Sequence, residues 1–140
     1  RRRLDDAAVI IGRTLRVANQ PLRVDSLSVR PLSRITTLFS RSVVLADTND
    51  DAADDETEFL AAASRELGVL GIDAARMLCG RATPVATPAR NYRTRSLMLA
   101  GLKPEHALAL QQRGLGAGRM LGCGLFIPHK DIADLRTRLD

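Results

Sequence analysis

Aromatic residues are nearly missing from this chain: 140 residues hold no tryptophan, one tyrosine (Tyr92) and three phenylalanines, Phe39, Phe59 and Phe126. So few π-faces exclude base stacking as the main way of holding a nucleic acid. Phe59 and Phe126 sit at apolar spacing that suits a core, which leaves Tyr92, between Arg90 and Arg93, as the aromatic to test for stacking. Cysteine is scarce too. Cys79 and Cys123 stand far apart and, with His106 and His129, make no metal-ligand spacing. Neither a metal site nor a cofactor is expected, and reduced thiols in a cytoplasmic protein are the simplest state. The longest apolar runs, such as SLMLAGL, fall far short of a membrane span. There is no initiator methionine, and RRRLDDAAV reads as the middle of a helix, so a piece of a longer protein is expected.

What the chain has in quantity is arginine. Of 21 basic residues only Lys103 and Lys130 are lysine, and the formal charge is +5. Arginine's planar fork suits bidentate phosphate contacts and stacking on bases. The distribution says more than the total. From Arg76 to Lys130 there are nine basic residues against Glu105 alone, whereas Asp47 to Glu58 holds seven acids and no base. A basic second half beside an acidic insert points to a surface for a polyanion, with a solvated arginine-rich surface as the plainer alternative.

Hydrophobic periodicity gives the order of elements. Leu15 and Val17, Leu22 and Val24, and Leu27 and Val29 alternate with polar residues, as half-buried strands do, with a turn at Asn19-Gln20-Pro21. Arg41–Ala46 is a short β-branched strand, and the acidic stretch after it is a loop leading to a helix from about Glu56 to Val69. In that helix Phe59, Leu60, Ala63, Leu67 and Leu70 recur at helical spacing, with Gly71 as its cap. Ala74–Cys79 reads as a strand, the proline-bearing GRATPVATPARNY as a loop, and Arg93–Ala100 as the next strand. Pro104 opens a helix that runs to Gly114, and Gly122–Pro128 forms the last strand. The expected class is therefore α+β, a ferredoxin-like (RRM-like) βαββαβ plait preceded by the end of a second such domain. The expected division is 1–40 as remnant and linker, 41–130 as the C-terminal ferredoxin-like domain, and 131–140 as a tail.

Between the last helix and the last strand lies GLGAGRMLGCG, five glycines in eleven positions, Gly114 to Gly124. A phosphate loop of the nucleotide-binding kind needs Gly-Lys-Ser/Thr at its end, and here Gly118 is followed by Arg119-Met120. A dinucleotide fingerprint needs a third glycine where Arg119 stands, and it runs from strand to helix, the reverse of this order. Two readings stay open. Either the glycines let the loop approach a sugar-phosphate backbone, with Arg113 and Arg119 neutralising phosphates, or they form a helix cap and a compact turn.

The run GLKPEHALALQQRGLGAGRMLGCGLFIP, residues 101–128, resembles the C-terminal signature of the CRISPR-associated endoribonucleases that process precursor CRISPR RNA, members of the RAMP superfamily. The resemblance is carried by Gly101, Leu102, Glu105, Leu108, Leu110, Gln111, Gly114, Leu115, Gly116, Gly122, Cys123, Gly124, Phe126 and Pro128. GRTLRVANQPLRVDSLSVRPL and Arg41-Ser42-Val43-Val44 are similar to the middle of that family. The resemblance implies two tandem ferredoxin-like domains gripping a repeat hairpin. It also implies metal-independent cleavage, in which a ribose 2′-hydroxyl attacks the adjacent phosphate and leaves a cyclic phosphate. The general acid–base histidine of the family lies in an early helix of the first domain, so no catalytic residue is expected within this chain. His106 and His129 are expected to be structural or solvated. The RNA-contacting set it implies is Arg81, Arg90, Tyr92, Arg93, Arg95, Arg113, Gly114, Gly116, Gly118, Arg119, Gly122 and Gly124. The partners are CRISPR repeat RNA and the mature crRNA, with other subunits of a CRISPR effector complex as further candidates. The rival readings are a crRNA-binding effector subunit that does not cut and a ferredoxin-like module that binds protein through its acidic loop.

Overall fold

A computed structural model describes residues 6–45 and 54–130 of the chain. It divides into two compact units, with the break between Pro31 and Leu32.

In the first unit, β1 (Thr14–Val17) and β2 (Gln20–Arg23) pair antiparallel, Thr14 opposite Arg23 and Val17 opposite Gln20. The turn is Ala18-Asn19, one step earlier than expected. Both residues have positive φ, 47° and 63°, the backbone that a two-residue turn matching the strand twist demands. Gln20 and Pro21 are consequently strand residues. Proline is tolerated because a two-stranded ribbon has free edges on both sides. Leu27 and Val29 alternate as a strand would, but among the described residues they lie outside any strand.

The second unit is built on β3 (Leu38–Val43), α1 (Glu56–Val69), β4 (Arg76–Cys79), β5 (Thr83–Ala86), β6 (Asn91–Ala100), α2 (Pro104–Arg113) and β7 (Ile127–Pro128). The sheet order is β4-β6-β3-β7, with every pairing antiparallel. With β5 set aside, this is the strand order of the ferredoxin-like plait, the first and third strands central. For this unit the expected α+β, ferredoxin-like class holds. Helix α1 starts where Asp55 accepts a hydrogen bond from the Glu58 amide (2.9 Å), and Glu56 and Glu58 lie in its first turn, where the dipole favours acids. It stops at Gly71, whose φ of 68° lets the Ile72 amide return to the Leu67 carbonyl (2.9 Å). Phe59, Ala62, Ala63 and Leu67 of α1, Ala107 and Leu110 of α2, and Leu38, Val43, Leu97 and Leu99 of the sheet share one core. Gln111 of α2 ties down the chain entering the sheet: its amide donates to the Ser33 carbonyl (2.6 Å) and accepts from the Ser33 amide (3.1 Å).

Several element boundaries differ from expectation, among them β4, which begins at Arg76 rather than Ala74, and β6, which begins at Asn91 rather than Arg93. The first strand of the plait begins at Leu38, not Arg41. The loop expected over 80–92 contains β5, which continues the line of β4 and pairs Thr83–Ala86 with Thr94–Asn91. Pro84 survives there because β5 bonds to β6 alone and its other side is an edge. The last strand shrinks to Ile127–Pro128, because Gly122–Gly124 are spent in the turn described next.

Candidate nucleic-acid interface

The glycine loop is sewn to the end of β3. The Gly124 amide donates to the Ser42 carbonyl (2.7 Å) and the Ala117 amide to the Val44 carbonyl (2.8 Å), while the Leu115 amide bonds the Gly124 carbonyl (3.1 Å). This close weave explains three glycines by distance. A Cβ on Gly116 would stand 2.0 Å from the Val44 carbonyl oxygen, one on Gly124 would stand 1.9 Å from that of Leu115, and one on Gly114 would stand 2.3 Å from that of Gly124. All three also have positive φ, between 64° and 74°. The compact-turn reading therefore accounts for Gly114, Gly116 and Gly124.

Gly118 and Gly122 do something else. Both are left-handed, and they bracket a single 3₁₀ turn, Arg119–Leu121. The amides of Leu121 and Cys123 bond the Gly118 carbonyl and that of Gly122 bonds Arg119, so the turn is closed on itself. It projects Arg119, Met120 and Leu121 outward, with Met120 99% exposed. The Arg119 guanidinium folds back over Gly114: a Cβ there would stand 2.7 Å from Cζ.

Across from this turn is the tip of the β5–β6 hairpin. Thr87 locks it twice, donating from its hydroxyl to the Arg90 carbonyl (2.6 Å) and accepting from the Arg90 amide (3.1 Å). Arg90 lies over the Tyr92 ring at 4.2 Å from its centroid, a cation–π contact. Between the tip and the 3₁₀ turn is an open groove of about 600 Å³ whose walls include Pro88, Ala89, Tyr92, Arg119, Met120 and Leu121. A smaller hollow of about 280 Å³ on the other side of the loop is lined by Glu66, Arg113, Gly114, Gly116 and Arg119. Arg119 faces both.

The other expected contacts separate. Arg81 is exposed but lines neither hollow. Arg93 forms an ion pair with Asp54, the last member of the acidic run before the helix cap. Arg95 is turned inward and is 7% exposed, with Nη1 donating to the Gly80 carbonyl (2.6 Å) and Nη2 to the Asp54 carbonyl (2.5 Å). Its guanidinium also sits 6.0 Å from the Phe59 ring. It straps the start of α1 to the β4–β5 junction. The acids at 47, 50 and 51 fall outside the described residues.

Neither histidine joins this surface. His129 rests against the Phe39 ring, and His106 on α2 has its Nδ1 buried without a hydrogen-bond partner among the described residues. Both cysteines are free thiols. Burial pushes the Cys79 thiol above its ordinary value, opposed by the nearby Arg95 charge, and burial alone raises Cys123. Protonated thiols are poor nucleophiles, so neither cysteine is primed for covalent chemistry. Among the described residues no three His, Cys, Asp or Glu side chains converge to hold a metal ion, and no helix is long and apolar enough to cross a membrane. Met120, Leu121 and Asp54 were not singled out from the sequence. The signals were present, two adjacent apolar residues between glycines and a run of acids facing a run of arginines.

Antiparallel strand order, two helices on one sheet and a glycine loop laced to the first strand define an α+β protein of the ferredoxin-like class. Solved structures share that fold: Thermus thermophilus Cse3 bound to an RNA representing a pre-cleavage complex matches 79% of this chain and 59% of that one, at 19% identity and a TM-score of 0.51. A structure of CRISPR endoribonuclease Cse3 bound to a 19-nucleotide RNA matches over the same shares at 20% identity and a TM-score of 0.52. The chain belongs to the Cas6 CRISPR family, whose model matches residues 1–131. A curated relative, the CRISPR-associated endonuclease Cas6 of Myxococcus xanthus (strain DK1622), is 35% identical over 119 residues, 85% of this chain. The chain spans about half the length of that relative, 49%.

Proposed function

We propose that the chain is the C-terminal part of a cytoplasmic CRISPR RNA-processing endoribonuclease. It grips the repeat RNA hairpin and supports metal-independent cleavage to mature crRNA. The observation that carries this reading is the convergence of Arg119 and of Tyr92, backed by Arg90, on one open groove beside the glycine loop, in a chain of this family. The first compact unit, which ends at Pro31, is read as the end of a preceding ferredoxin-like domain, with the residues up to the first plait strand at Leu38 as linker.

Chemically, the chain supplies position and charge. Arg119 and Arg113 face the hollows on either side of the loop and neutralise phosphates. In cleavage, the 2′-hydroxyl attacks the adjacent phosphorus, the P–O5′ bond breaks, and a cyclic phosphate and a free 5′-hydroxyl result. The phosphorane carries extra negative charge, which fixed cations lower in energy. Proton transfer is assigned to a histidine outside this chain, because a general base must reach the hydroxyl it deprotonates and neither His106 nor His129 lines the groove. Arg95 drops out of the contact set because its fork is committed to backbone carbonyls, and Arg93 enters only when Asp54 releases it.

The test is to extend the protein to the full length of its relatives and incubate it with repeat RNA in EDTA. Cleavage leaving a cyclic phosphate is the expected result. Tight binding without product would instead support a crRNA-binding subunit, and absence of binding would overturn the RNA reading altogether.

A further inference from the structure

The groove between the hairpin tip and the 3₁₀ turn is unlike a phosphate track. Its walls are mostly apolar: Pro88, Ala89 and the Tyr92 ring on one side, Met120 and Leu121 on the other, with Arg119 as its charged group. Arg90 stacks on the Tyr92 ring without itself lining the groove, so the groove meets the part of the ring that Arg90 leaves uncovered. Both walls are braced. Thr87 closes the hairpin tip on Arg90, and left-handed glycines close the 3₁₀ turn at each end. The volume, about 600 Å³, lies within the range of small-molecule sites and exceeds what one flat ring needs. A lone exposed methionine is unremarkable. Two adjacent apolar residues facing an aromatic ring across a slot, with Arg119 on one wall and Arg90 behind the ring of the other, are a different matter.

We propose that this groove takes one unpaired, unstacked nucleobase of the bound RNA. The base lies between the Tyr92 ring and the Met120–Leu121 wall, and its phosphate faces Arg119. Apolar walls and a π-face suit a base, which loses its stacking neighbours when it leaves the helix, and the thioether of Met120 adds a favourable contact to an aromatic ring. Charge complements this occupant: Arg119 on one wall and Arg90, stacked on the Tyr92 ring of the other, meet the flanking backbone. A base still paired in a duplex has both faces occupied by its neighbours and cannot enter. The site therefore reads the presence of an unpaired nucleotide at a fixed distance from the phosphates held by the glycine loop. This rests on the RNA reading above.

The experiment uses the full-length protein and repeat RNAs carrying single 2-aminopurine substitutions at each unpaired position, with matched abasic RNAs. One position is expected to change its fluorescence on binding. Met120→Ser and Tyr92→Ala should each remove that change and weaken binding about tenfold, with the salt slope unaltered. On the abasic RNA at that position the same variants should cost nothing further. Met120 is fully exposed, so its variant folds whatever becomes of Tyr92→Ala. If no position responds, or Met120→Ser binds both RNAs like the wild type while Arg119→Ala weakens both, the base site is wrong and the RNA reading stands. If the wild type binds none of these RNAs, both fall.

Discussion

Replacing Arg95 with alanine separates two roles that its sequence context leaves undivided, contact with RNA and support of the fold. The side chain is 7% exposed and donates to two carbonyls in different segments, Gly80 at 2.6 Å and Asp54 at 2.5 Å. A hydrogen bond with a charged partner contributes about 1.5–3 kcal/mol net, and carbonyls left without a partner add their desolvation cost. The cation–π contact with Phe59, at 6.0 Å, adds roughly 0.5 kcal/mol. Arg95→Ala should therefore destabilise the chain by about 3.5–6.5 kcal/mol, read as a lowered urea midpoint by far-UV circular dichroism. Arg95→Lys keeps the charge but not the planar fork that spans both carbonyls, so it should recover only part of the loss. Arg93→Ala, which removes an ion pair with a half-exposed Asp54, should cost about 1 kcal/mol or less. A stable Arg95→Ala variant that loses RNA affinity would refute the assignment of Arg95 to the fold.

Gly116→Ala and Gly124→Ala should each cost about 3 kcal/mol or more, since their Cβ atoms would meet carbonyl oxygens at 2.0 and 1.9 Å, as well as the strain of positive φ. Gly122→Ala meets open space and should cost about 1–2 kcal/mol from its φ of 81° alone, so thermal melts that reverse this order would contradict the loop geometry. Asp54→Asn releases Arg93 from its ion pair and should raise RNA affinity severalfold, steepening the salt slope by about one phosphate contact; unchanged binding would remove Arg93 from the interface. Both thiols are raised by burial, so the stability tied to their neutral forms is complete below the ordinary thiol range and falls as pH rises through the raised values. Cys123 should accordingly react with iodoacetamide more slowly than a free thiol at pH 8 while the chain is folded, and matching rates would contradict its burial.

Much of the plait is legible in the residues. Phe59 and Leu67 at helical spacing, Gly71 beyond them and Pro104 at a helix start mark local events, and local chemistry decides them. Strand β5 is hidden because Thr83-Pro84-Val85-Ala86 carries a proline within it and Pro88 just beyond it; only its pairing with β6 makes it a strand. The glycine loop was readable by elimination, since both nucleotide fingerprints fail at Arg119, but distances were needed to divide its glycines between weave and turn. Arg95 is instructive. In Arg93–Ala100 the alternation puts Arg95 in phase with Leu97 and Leu99, the buried parity, so its inward course was written in the period while its charge suggested the surface. Asp54 could be met only in three dimensions, because its partner lies 39 residues away.

The groove and loop as the RNA-facing surface can be tested most directly by the salt dependence of RNA affinity. Repeat RNA would be titrated against wild type, Arg90→Ala, Arg119→Ala and the double variant at several salt concentrations. Each single variant should flatten the slope of log K against log salt by roughly 0.7–0.9, and the double variant by about twice that. Slopes that stay at the wild-type value in the double variant would place the RNA elsewhere on the protein.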